Sequence, residues 1–264
     1  MIVVADVANV ADTADALDIN RRGWDAVAPL FSGGTALPIY GPLAPTEDEL
    51  QLLGDLAAAR VLELGCGSGH SLAYCAARGA AELWGLDLSP AQIELARATL
   101  RGRGLQGHLF CSPMEQDPGL PDGHFDLVLS VYALGWTTDL DRTLALVARC
   151  LRPGGRFVCS WEHPVYSCLA HEDGRLVVAR PYGHEGPEAR NDWRGVPIVM
   201  QRRKLATFVN AVAAAGLVVE RLVEGDCNEA LARPQDHDAE KWYSVPRARL
   251  FPTTFVLAAH KPAH

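Results

Sequence analysis

The sequence predicts a doubly wound α/β fold, and three observations carry that reading. Short apolar strands alternate with helical stretches from about residue 60 to residue 161. One of those strands, VLEL, runs straight into the glycine-rich turn of VLELGCGSGHS at residues 61–71, and an Ala-rich helix follows. FDLVLSV at residues 125–131 is apolar almost without a break, as a strand covered on both faces should be.

Each element has its own signal. Residues 1–20 are acidic and Ala-rich, and read as a loose helix without chemistry. Residues 21–31, RRGWDAVAPLF, read as an amphipathic helix with Trp24, Val27 and Phe31 on one side. A Gly/Pro-rich connector over residues 32–45 carries one aromatic, Tyr40. Thr46-Glu47-Asp48-Glu49 is a capping box ahead of Leu50, Leu53 and Ala57. The expected strands are then 60–64, 82–87, 107–111, 125–131, 156–161, 217–223 and 254–259. Between them lie helices at 69–78, at 90–100 behind a Ser89-Pro90 cap, at 140–151 stopped by Pro153-Gly154-Gly155, and at 202–215.

The rhythm breaks over residues 164–200, a stretch rich in Gly, Pro, His and aromatics that reads as an irregular substrate-binding insert. Residues 224–249 read as a polar loop. The chain is expected to form a single domain over residues 1–264, with residues 1–45 as an N-terminal helical lid.

Composition narrows the function. A net charge of −8 argues against a protein that grips a nucleic-acid backbone. Seven scattered cysteines without a CxxC pair favour a reducing compartment. The acidic first residues make a poor leader, and no run approaches the roughly 18 apolar residues of a membrane span. The expectation is a cytoplasmic protein, a monomer or homodimer, that binds neither nucleic acid nor membrane. Asp236-His237-Asp238 reads as a solvated loop, because three adjacent residues converge poorly on one ion, so no metal site is expected.

The glycine loop fits a small-molecule cradle. Glycine lets the backbone take positive φ and lets a ligand lie against it, while the following helix directs free N–H groups at the turn. Asp87 closes the second strand, where a carboxylate can accept both hydroxyls of a ribose. That feature alone fits NAD equally well, but a dinucleotide loop wants a third glycine where this chain has His70.

Four stretches in order resemble the class I S-adenosylmethionine-dependent methyltransferases: VLELGCGSGHS, then GLDLSPAQIELAR (85–97), LPDGHFDLVLSVYAL (120–134) and LRPGGRFVCSWEHP (151–164). The likeness spans about residues 40–261. In the lead-in YGPLAPTEDEL (40–50) and the His-Pro after strand five, it extends to bacterial small-molecule enzymes of specialised-metabolite biosynthesis. The resemblance implies a Rossmann-like, seven-stranded, mostly parallel sheet with S-adenosylmethionine as cofactor and S-adenosylhomocysteine as product.

It also implies roles. Gly65, Gly67 and Gly69 would lie under the methionine half, Glu63 would orient its ammonium, and Ser130 would offer a carbonyl to it. Asp87 would hold the ribose, Leu88 would pack on the adenosine, Met114 and Glu115 would border the adenine, and Tyr40 would touch the methionine end. Ser112-Pro113 stands where many relatives carry an acid for the adenine amine.

On the acceptor side, Tyr132 and Trp136 follow strand four, and Trp161, Glu162 and His163 follow or end strand five, all pointing towards the crevice. His163 is the expected general base, with bracing of the Pro164 turn as its alternative; Glu162 would orient His163 or the substrate. Tyr166, Tyr182, His184 and Trp193 either line an aromatic substrate pocket or form a satellite core under the lid, and Trp24 packs the lid over the cofactor or joins the core. The expected reaction is methyl transfer to O, N or C of a small aromatic or heteroaromatic metabolite. An RNA or protein methyltransferase and an NAD-binding protein are the alternatives.

Overall fold

The structure, a computed structural model, describes residues 13–31 and 33–263. The first part of the expected 1–45 lid, residues 1–12, lies outside them, as does Ser32. Helix α1, Thr13–Val27, runs without a break from the stretch read as a loose helix into the amphipathic one, and gives way to one 3-10 turn at Ala28–Leu30, where Pro29 ends it. The short helix α2, Glu47–Leu50, carries the expected capping box on Thr46 and Glu49.

The central sheet comprises β1 (Arg60–Leu64), β2 (Glu82–Asp87), β3 (His108–Cys111), β4 (Phe125–Val131), β5 (Leu151–Glu162), β10 (Val218–Val223) and β11 (Thr254–His260). Helices α3 (His70–Ala77), α4 (Pro90–Arg101), α5 (Leu140–Cys150) and α6 (Leu205–Ala214) connect them, with a four-residue turn of helix, α7, at Val245–Ala248. The strand order is β10-β11-β5-β4-β1-β2-β3, parallel throughout except where β11 inserts antiparallel between β5 and β10. The sheet is therefore seven-stranded and mostly parallel, as expected.

Burial on both faces follows from alternation along the strands. Leu127, Leu129 and Val131 of β4 pack with Leu72, Cys75 and Ile93 beneath α3 and α4, while Val128 faces Leu144, Val147 and Phe208 of α5 and α6. Ser89 caps α4 by accepting from the Gln92 amide, and Asp139 caps α5 by accepting from Arg142.

Two expectations are corrected. Strand β5 begins at Leu151, because Pro153-Gly154-Gly155 forms an irregularity inside it: Phe125 and Leu127 of β4 pair with Leu151 and Arg156. The insert is not irregular. It folds into two hairpins, β6 (Leu169–Glu172) with β7 (Arg175–Val178), and β8 (Gly186–Trp193) with β9 (Val196–Arg202). Its strands mix charged and polar residues, prolines and apolar residues without a sustained period of two, so no clear alternation marks them. Among the described residues no helix is long and apolar enough to cross a membrane.

Candidate active site

A cleft opens beyond the carboxyl ends of β1, β2 and β4. Its floor is the glycine loop. Gly65 takes φ +69, and a Cβ there would stand 2.5 Å from the Ala133 Cβ. Gly69 caps α3 at φ +77 against the Ala96 backbone. Only glycine adopts these angles without strain and leaves the loop this close to its neighbours.

Two acids meet at this floor. Asp87 accepts the Gly67 amide on Oδ2 and the Ser89 amide on Oδ1, both at 2.9 Å, so the acid orders the loop it borders. Burial pushes its carboxyl up to about 6 against those two amides. Glu63, at the end of β1, is 2% exposed, and its Oε2 has no hydrogen-bond partner. Burial raises its carboxyl to about 8, opposed by Ser71. A buried carboxylate oxygen lacking a donor beside an open cleft is the complement of a ligand ammonium. The residues present therefore fit an amino-acid-bearing nucleotide cofactor.

Leu88, Met114 and Glu115 also line the cleft. Glu115 is largely committed elsewhere: it accepts from Thr137 Oγ1 and the Thr138 amide, each at 3.2 Å, and from the Thr138 hydroxyl. Ser130 does not line the cleft; it is buried one residue inside β4, in register with Cys159. Tyr40 does not line it either. It is fully buried, its hydroxyl donates to Glu47 Oε2 at 2.6 Å, and its carbonyl accepts from Ser160 Oγ. Spacing alone could not reveal that Glu47 claims the hydroxyl.

On the acceptor side Trp24, Tyr132 and Trp136 line the cleft. Trp193, at the end of β8, stands behind them, edge-on to Trp24 at 5.0 Å and to Trp136 at 5.7 Å. Trp161 packs on Tyr132 and Trp136 and forms, with Glu162, part of a second, smaller cavity.

Three expected pocket residues lie elsewhere. Tyr166 is buried, donating to the Trp242 carbonyl at 2.5 Å. Tyr182 is exposed and accepts from the Leu205 amide, and His184 is exposed beside it. The hairpin fold of the insert brings Trp193 inward and leaves the turn carrying Tyr182 and His184 outside.

His163 is also displaced from its expected role. It is buried and lines neither cavity; Nδ1 accepts the Val165 amide at 3.2 Å, and Nε2 faces Glu224 Oε1 at 2.6 Å. Both ring nitrogens are occupied, so the residue braces the turn after β5. Glu162, one residue earlier, points the other way. Its Oε2 accepts from Trp242 Nε1 at 2.7 Å and Tyr243 Oη at 2.5 Å, and Tyr132 Oη donates to Tyr243 Oη at 2.7 Å. Burial holds the Glu162 carboxyl above its ordinary range. Trp242 and Tyr243 lie in the stretch that reads as a polar loop, where adjacent aromatics are the available signal.

Comparison with known proteins agrees with this geometry. A methyltransferase domain model matches residues 62–159. The chain is 36% identical over 236 residues to a malonyl-[acyl-carrier protein] O-methyltransferase of Pseudescherichia vulneris, covering 82% of this chain and 87% of that one. An uncharacterised protein of Haemophilus influenzae is 32% identical over 189 residues, covering 66% and 73% of the two chains. A crystal structure of an S-adenosylmethionine-dependent methyltransferase from Mesorhizobium loti superposes with a TM-score of 0.65 at 29% identity, covering 80% of this chain and 95% of that one.

The fold and site define a Rossmann-like transferase with a nucleotide cofactor. The chain belongs to the class I S-adenosylmethionine-dependent methyltransferases of the bacterial small-molecule type, and its cofactor is S-adenosylmethionine.

Proposed function

We propose that this enzyme methylates an O, N or C atom of a small planar acceptor, aromatic or heteroaromatic, in the biosynthesis of a specialised metabolite. The observation that carries this reading is the aromatic wall of Trp24, Tyr132 and Trp136, which faces the glycine loop across one cleft. Aromatic faces suit planar rings and exclude water from the reacting atoms. Free cysteines throughout the described residues suit the cytoplasm.

In this reading the Gly65–Gly67–Gly69 loop, Glu63, Asp87, Leu88 and Met114 hold the cofactor. When bound, it supplies an electrophilic methyl group on a sulfonium. The protein's own task is to position the acceptor and take its proton. Tyr132 Oη receives the acceptor's proton as it passes its own to Tyr243 Oη, whose proton moves to Glu162 Oε2. Glu162 thus replaces His163 as the base, acting through two tyrosines.

Calorimetric titration with S-adenosylmethionine, S-adenosylhomocysteine and NAD tests the cofactor side, with micromolar binding of the first two expected. Planar acceptors are then screened for the gain of one methyl by mass. Methylation confined to non-planar aliphatic acceptors would overturn the proposed acceptor class.

A further inference from the structure

Helix α1 touches both halves of the molecule. Near its C-terminal end Asp25 Oδ1 accepts from Ser89 Oγ at 2.5 Å and from the Ala91 amide at 3.2 Å. This seats a carboxylate on the N-terminus of the twelve-residue helix α4, where free amides and the helix dipole favour it. The same Ser89 holds Asp87 through its own amide.

Five residues earlier, Asn20 docks on β9 with both ends of its amide. Nδ2 donates to the Val199 carbonyl at 2.8 Å, and Oδ1 accepts from the Val199 amide at 2.7 Å. Asn20 is 1% exposed, so its satisfaction depends on this pair. Between the two points Gly23 lets the helix sit on the hairpin, because a Cβ there would stand 2.8 Å from the Pro197 carbonyl oxygen. Leu17, Asn20 and Trp24 of the same helix wall the cleft.

We infer that α1 is a two-point clasp, in which Asp25 and Asn20 are positioning residues that hold the helix closed over bound S-adenosylmethionine and set how fast it leaves. The clasp rests on the cofactor assignment but not on the identity of the acceptor. Because β9 pairs with β8, which carries Trp193, closing the clasp requires the insert to be in place. Retention of the cofactor and assembly of the acceptor wall are thereby linked.

The test is release of tritiated S-adenosylmethionine from the protein into excess unlabelled cofactor. Asn20→Ala and Asp25→Ala should each speed release about tenfold, the scale expected when buried hydrogen bonds are lost. Asp25→Asn, which keeps an oxygen acceptor, should restore part of the retention. Gly23→Ala separates the clasp from simple helix stability. Alanine favours a helix over glycine, so a purely local role predicts unchanged or slower release. The clasp predicts faster release, since the new methyl lifts α1 off β9.

Release within twofold of wild type in a folded Asn20→Ala/Asp25→Ala protein, or no acceleration in Gly23→Ala, would overturn the clasp alone. Refusal of labelled cofactor by the wild-type protein would instead overturn the cofactor assignment, and the clasp with it.

Discussion

The half of the cleft proposed for the cofactor draws Glu63, Gly65, Gly67, Asp87 and Leu88 from two adjoining strand ends, whereas the half proposed for the acceptor gathers Trp24, Tyr132 and Trp136 from three separate elements, with Trp193 behind them from a fourth. The first half is made largely of backbone amides and carboxylates whose positions follow from strand register. The second is made of side chains brought together by packing. One half is thus fixed by local geometry, and the other by contacts between elements distant in sequence.

The largest expected effect lies on the cofactor half. Asp87→Ala should weaken S-adenosylmethionine binding about a hundredfold by calorimetry, because it removes the proposed ribose partner and frees the Gly67 amide together. Affinity retained in a folded Asp87→Ala protein would place the ribose elsewhere.

Next comes Glu162→Gln, which should lower turnover of an accepted substrate about a hundredfold and leave cofactor affinity unchanged. In the wild type, activity should rise with pH as the Glu162 carboxylate forms. The rise should lie above the ordinary range for glutamate, since burial raises this group. An acid limb that survives in Glu162→Gln would move the base to another residue.

A smaller effect, but a sharper sign, belongs to Glu63. Its raised pKa stabilises the free protein fully below the ordinary value of 4.5, and that contribution is lost as pH rises through about 8. Pairing with the cofactor ammonium favours the carboxylate, so binding near pH 7 should release up to about one proton and tighten with rising pH. Titrations in buffers of different ionisation enthalpy measure that proton, and Glu63→Gln should abolish it.

The smallest effect is reserved for His163→Ala, which should change turnover less than about twofold while lowering the melting temperature, as befits a lost buried brace. A large fall in turnover at unchanged stability would return His163 to the chemistry.

The same division explains what could be read in advance. Strand positions, the Ser89 cap and the Thr46 capping box follow from local pattern, and so do the glycine loop and Asp87. The partners of Tyr40 and His163, Glu47 and Glu224, are set by how loops pack, so spacing does not reveal them. The β6–β7 and β8–β9 hairpins lack apolar alternation, so their pairing is invisible to a periodicity argument. Tyr243 joins Tyr132 across 111 residues, and no spacing rule reaches that far.

The Asn20–Val199 pair has a consequence for how the molecule is made, since it joins positions 179 residues apart. At ribosomal rates of 5–20 residues per second, α1 waits roughly 10–35 s before its docking strand has been synthesised. Contacts of such long range form late, because closing the intervening loop must come first. A nascent chain can therefore assemble the glycine loop on its parallel strands well before it can keep a nucleotide there, so that cofactor retention is among the last properties the folding enzyme acquires.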